Sequence, residues 1–149
     1  MPQGRDIGIV SRTRRLLASE GFNAVAKLVG RLLLGLPFVV FGSLKIRNME
    51  SMTGYIESGG LPGDVIYLVI PLQIIGGLAV WLGLQTRWAA FLLGGFCVTA
   101  ASIYHSDLSD LGQLDPFTKD FATAGGFLFL WVVGPGRYSL DAWLARGRT

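Results

Sequence analysis

The chain has 149 residues, of which 51% are hydrophobic and only 15% charged, with a net charge of +3. It is richer in apolar residues and poorer in charge than a soluble domain usually is, and its length suits one domain. A basic excess on so apolar a chain speaks for membrane topology and contact with anionic lipid, and no nucleic-acid patch stands out.

Residues 1–25 form a basic segment in which Ile9, Val10, Leu16 and Leu17 alternate with Arg12, Arg14 and Arg15. Such a pattern suits a short amphipathic helix on an anionic membrane face, and a disordered basic tail is the equal alternative. The apolar run begins too late for a secretory leader and no small-x-small cleavage site follows it cleanly, so the first helix is kept in the mature protein.

Four apolar stretches then follow, at 26–44, 64–84, 88–104 and 117–134. Each comes close to the roughly 20 helical residues that a hydrocarbon core of about 30 Å requires. The fold expected is all-α: a polytopic membrane protein with a four-transmembrane-helix bundle at 26–144 and a short tail at 145–149. A soluble bundle would need polar stripes at a period near 3.6, and the second stretch offers only Tyr67, Gln73 and small residues among its aliphatics.

The first stretch carries Arg31, Gly35, Phe38, Gly42 and Lys45 at steps of four, three, four and three, which puts all five on one helix face. A cation at Arg31 either points into the bundle towards an acid or carbonyl, or snorkels to the nearer headgroups. In the second stretch, Pro71 precedes Gln73 by two residues, so a bent helix presenting Gln73 inward is expected. Gln73 can bridge helices by hydrogen bonds. The fourth stretch is the least secure, because Lys119 and Asp120 occupy its expected first turn, where Asp120 would favour the helix N-terminus. Gly76 and Gly77, Gly94 and Gly95, and Gly125 and Gly126 fall mid-helix, and with Gly35 and Gly42 are assigned to helix packing.

Self-contained chemistry finds little support. Dithiol exchange needs two cysteines and the chain has only Cys97, while haem held by two histidines is excluded because His105 is alone. The acids Asp107, Asp110 and Asp115 read as a solvated loop, and no phosphate loop or paired-carboxylate arrangement appears. No catalytic residue, metal ligand or covalently bound cofactor is therefore assigned. Orientation follows from Lys and Arg: Arg5, Arg12, Arg14, Arg15 and Lys27 precede the first span, Arg87 lies in the second connection, and Arg137, Arg146 and Arg148 follow the last. The positive-inside rule then places both termini in the cytoplasm.

Four separated motifs carry a family resemblance. They are Gly30-Arg31-Leu32-Leu33-Leu34-Gly35 with Phe38, Gly42 and Lys45; Gln73-Ile74-Ile75-Gly76-Gly77 with Leu82-Gly83-Leu84-Gln85-Thr86-Arg87; Phe117-Thr118-Lys119-Asp120 leading to Gly125-Gly126; and Gly134-Pro135-Gly136-Arg137-Tyr138-Ser139-Leu140-Asp141. From about Gly30 to Leu144 the chain resembles the DoxX family of small four-helix bacterial membrane proteins. One departure is Gln73, where the family often has Glu. The resemblance implies a multi-pass protein of the bacterial inner membrane, acting as a non-catalytic subunit or anchor of a membrane oxidoreductase complex beside other membrane subunits. A quinone-binding subunit, or a small transporter or membrane chaperone, are the alternatives. The sharpest site expectation is a polar cavity for a quinone, a lipid or another small amphiphile that Arg31, Lys45, Gln73, Lys119 and Asp120 line or bracket.

Overall fold

The computed structural model describes residues 19–147. Its described residues are helical with no strand: α1 (Glu20–Arg47), α2 (Met49–Ser58), a 3-10 turn (Gly63–Val65), α3 (Ile66–Leu82), α4 (Thr86–Tyr104), α5 (Leu111–Val133) and α6 (Leu140–Arg146). The expectations for the basic N-terminal segment lie mostly outside the described residues.

Helix α1 starts where the Ser19 hydroxyl accepts the Phe22 amide at 3.3 Å, with Glu20 in its first turn and Lys45 and Arg47 in its last. Both ends thus match the helix dipole. Its 28 residues extend about 42 Å, some 12 Å more than a hydrocarbon core, which leaves room for the charged ends. The buried face is Ala24, Arg31, Gly35, Phe38 and Gly42, whereas Val29, Leu33, Leu36 and Val40 point outward. Apolar surface turned outward on this scale suits lipid, which exacts no penalty for it. By length and composition three helices can cross a membrane, at Glu20–Arg47, Gly63–Leu82 and Thr86–Tyr104.

The helices form two close pairs, α1 with α3 and α4 with α5, joined face to face by α3 and α4. The α1–α3 crossing is a backbone approach: a Cβ on Gly35 would sit 2.9 Å from the Gly77 carbonyl oxygen, and one on Gly77 would sit 3.1 Å from that of Gly35. Trp81 fastens the same crossing by donating its indole N–H to the Leu32 carbonyl at 2.8 Å. Gly42 lies against Ile74, Gly76 against Leu93, Gly94 against Phe127 and Gly126 against Leu34. At Gly95 and Gly125, grouped with these from the sequence, an added Cβ would meet open space, with nothing within 4 Å. They form part of a shallow groove on the outer surface of the α4–α5 pair.

Two elements differ from the sequence expectation. The connection after α1 folds as α2, whose Met49, Met52 and Ile56 cluster with Ile66 and Ile70. Helix α5 begins at Leu111, capped by Asp110, whose carboxylate accepts the Gly112 amide at 2.8 Å. Lys119 and Asp120 therefore sit in its third turn, and the acid that serves the helix N-terminus is Asp110. Pro116 and the charges around it resemble a loop in sequence, yet the helix runs through Pro116 in its second turn, where the proline leaves the Gly112 carbonyl without its usual amide partner.

Filling the α1–α3 crossing would force the backbones apart. Gly35→Leu is expected to cost about 1–3 kcal/mol or more, whereas Gly125→Ala should stay within about 0.5 kcal/mol of the parent. Thermal unfolding of the detergent-solubilised protein checks both, and equal effects would remove the packing role assigned to Gly35.

Candidate functional site

The two ends of the bundle differ in construction. At one end Arg31 is enclosed, 1% exposed, and donates from Nη2 to the Tyr138 carbonyl. Its Nε and Nη1 have no hydrogen-bond partner, and the Asp141 carboxylate favours its charge from nearby without a direct ion pair among the described residues. The Asp141 carboxylate accepts from the Gln85 amide at 2.8 Å, the Thr86 amide at 3.0 Å and the Thr86 hydroxyl at 2.9 Å, while its own amide donates to the Gly83 carbonyl at 2.9 Å. An acid from the C-terminal segment thereby caps α4, whose own cap position, Gln85, sits in the left-handed region at φ 48° and offers no side-chain bond. Gly83, at φ 68°, lies against the Arg31 guanidinium, so this turn has no room for a side chain. Lys27 donates to the Val133 carbonyl at 3.2 Å and Arg87 approaches that of Val132 at 3.4 Å, covering the negative end of α5.

At the other end the bundle opens. Leu34 on Gly126 and Phe38 on Phe127, rings 5.2 Å apart, close the α1–α5 contact in the half that holds Arg31. Beyond Phe38 the helices enclose a cavity of about 950 Å³. Phe38, Phe41, Leu72, Phe96 and Ile103 supply apolar wall, and α2 covers it with Met52, Tyr55 and Ile56. Tyr55 stacks on Tyr104 at 4.5 Å, and the Tyr104 hydroxyl donates to the Ile56 carbonyl at 3.2 Å, fixing the cover to α4.

Polar groups make up the minority of the cavity's lining. Lys45 donates to the Gln73 side-chain oxygen at 2.9 Å and stands 5.7 Å from the Phe96 ring centre. Gln73 is buried, facing the bundle. Asp120, His105, Lys119, Thr99, Thr123 and the phenols of Tyr55 and Tyr104 add to the polar lining, with Lys119 bound to Asp115 in an exposed i,i+4 pair of the weak surface kind. The structure thus brings Lys45, Gln73, Lys119 and Asp120 to one cavity and places Arg31 at the opposite end, closed in by the C-terminal segment. Arg31 is not a lining residue, because the acid and carbonyl it needs come from the segment after α5.

Sequence reasoning missed Tyr55, Phe96 and Asp141. The spacing of Met49, Met52 and Ile56 signals the helix that carries Tyr55; nothing local marks Asp141 as a cap for α4. Outside the apolar spans, hydrogen bonds from the Ser109 hydroxyl and amide hold the Asp107 carboxyl below the usual carboxylate range. Burial, then Tyr104 and Asp120, push the Tyr55 phenol above its ordinary value, so it stays protonated. Among the described residues no group of three or more His, Cys, Asp or Glu could hold a metal.

Apolar helices with outward-facing aliphatic surface and a cavity that opens at one end of the bundle mark an integral membrane protein with space for a ligand. The chain belongs to the DoxX family, whose model matches residues 26–106. It is 38% identical over 117 residues to the inner membrane protein YqjF of Escherichia coli (strain K12), covering 78% of this chain and 90% of that one. It is 29% identical over 124 residues to the inner membrane protein YphA of the same organism, covering 78% and 89%. A protein of Bacillus subtilis (strain 168) with the printed name "Putative oxidoreductase CatD" is 35% identical over 63 residues, covering 42% of this chain and 47% of that one. No solved structure matches the chain.

The Arg31 latch has a measurable coupling. Asp141→Asn is expected to cost about 2 kcal/mol by leaving a buried guanidinium uncompensated, and adding Arg31→Met should regain more than half of that loss. A double-mutant cycle in denaturant unfolding reads it; strictly additive effects would show that the two charges do not act as a pair.

Proposed function

We propose that this protein is a non-catalytic subunit of a bacterial inner-membrane oxidoreductase complex, and that its cavity holds a lipophilic quinone-class molecule used by that complex. The cavity carries the reading: it is mostly apolar, large enough for a ring with part of a tail, and polar chiefly where Lys45 meets Gln73. Carbonyl oxygens on an otherwise apolar ring would take the remaining Lys45 and Gln73 N–H groups. The oxidoreductase assignment draws on the family and on the printed name of the Bacillus relative. With Cys97 as the chain's only cysteine, electrons would pass through cofactors on partner subunits.

In this reading α5 is the fourth span. Its 23 residues reach about 34 Å, and Asp115 and Lys119 sit in the half that surrounds the cavity mouth. The Arg31 end, with Lys27, Arg87, Arg137 and Arg146, faces the cytoplasm, and the Lys45 end, with Glu50, Glu57, Asp64, Asp107 and Asp110, faces the other side. A C-terminal fusion to a reporter active only in the cytoplasm should be active, and an inactive fusion would reverse the orientation.

Affinity purification from the native membrane in nanodiscs, with mass spectrometry of co-purifying proteins and extraction of quinone, tests the whole reading. Stoichiometric recovery of cofactor-bearing subunits together with quinone is expected, and Lys45→Met should lower the extracted quinone about tenfold while leaving the subunits in place. Recovery of the protein alone and without quinone would overturn it.

A further inference from the structure

Resting on the cavity reading above, we infer that the head the cavity recognises is a hydroxyl-bearing aromatic ring, a hydroquinone or phenol, with Asp120 as the residue that selects it over the oxidised quinone.

The inference comes from how the cavity's polar groups are left. Lys45 spends one N–H on Gln73 and keeps two. The fully enclosed unpartnered side-chain nitrogens among the described residues both belong to Arg31, so the Gln73 amide hydrogens, which have no protein partner, open on the space that Gln73 lines. This is a side of donors. The Asp120 carboxylate, on the same lining, offers only acceptors. Its charge neighbours are His105 and Lys45, yet the ion pair found among the described residues is Lys119 with Asp115. Lys45 and Asp120 therefore face one apolar chamber as opposite charges that do not touch.

Two unlike charges that line one largely apolar cavity without meeting are costly unless something sits between them. The group that satisfies both must accept from the Lys45 and Gln73 side and donate to Asp120, and a hydroxyl on an aromatic ring does both with one atom. The ring itself finds aromatic walls in Phe38, Phe41 and Phe96, and a tail continues along Leu68 and Leu92, which are 71% and 52% exposed and turn towards the outer surface. A quinone has acceptors only and offers Asp120 no hydrogen bond. A site built to bond a hydroxyl discriminates strongly against an analogue that lacks it.

The test uses the full-length protein in nanodiscs under oxygen-free conditions, with three probes: decyl-hydroquinone, the matching quinone, and the hydroquinone dimethyl ether. Calorimetric titration should give at least about tenfold tighter binding of the hydroquinone than of either other probe. Asp120→Leu should bring the hydroquinone to within about twofold of the quinone without weakening the quinone, and Asp120→Glu should keep the preference, which guards against an effect of misfolding alone. Equal binding of all three probes, tighter binding of the quinone, or a preference unchanged in Asp120→Leu would overturn the inference and leave the cavity reading standing. Binding of none of the three would overturn both.

Discussion

The guanidinium of Arg31, buried on the first helix and answered by Asp141 and the Tyr138 carbonyl after the last long one, sets the shape of this bundle. Between helices in lipid there is little hydrophobic force, since the tails are as apolar as the side chains they would replace. What draws helices together is backbone proximity and polar closure. Both are concentrated in one half: Gly35 against Gly77, Leu34 on Gly126, Lys27 on the end of α5, and Asp141 capping α4. The other half has Lys45 and Asp120 on the lining of one cavity with no ion pair between them, and there the helices stand apart. The cavity is thus the counterpart of the latch.

Much of this arrangement could be read from the sequence wherever a regular spacing recorded a face. The four-three-four step from Arg31 to Gly42 is the buried stripe of α1 as found, because helical period alone fixes which residues share a face. The inward turn of Gln73 follows from its being the one amide in an aliphatic helix. Spacing is silent about contacts made across the chain. The bond from Arg31 to Tyr138 spans 107 residues, and no periodicity connects them, so Arg31 could be assigned to a polar cavity that it does not enter. Helix α5 is shorter in the sequence reading because Asp107, Asp110 and Asp115 look like a solvated loop; Asp110, a cap seven residues before the expected start at Phe117, carries the correction. Glycine pairs mark small surface without telling which side is filled, and Gly95 and Gly125 prove to be on the open side.

The aromatic residues show the same division. Trp81 and Tyr104 look from composition like members of interfacial belts, yet both are tied to specific carbonyls, of Leu32 and Ile56. The first stitches α3 to α1 at their closest approach, and the second holds the α2 cover to α4. An aromatic residue near an interface can serve a joint as readily as a boundary, and only its polar atom's partner distinguishes the two.

The position of Asp141 has a consequence for how the protein is made. Arg31 enters the membrane on the first helix, while the acid and carbonyl that neutralise and bond it belong to a segment synthesised after every long helix is complete. Throughout insertion the guanidinium must keep to the headgroup region, as a long cationic side chain can. The late-arriving C-terminal segment then closes the bundle by supplying the start of α4 with its cap. A chain without Tyr138 to Asp141 would hold its long helices without the carbonyl that bonds Arg31 and the carboxylate that caps α4.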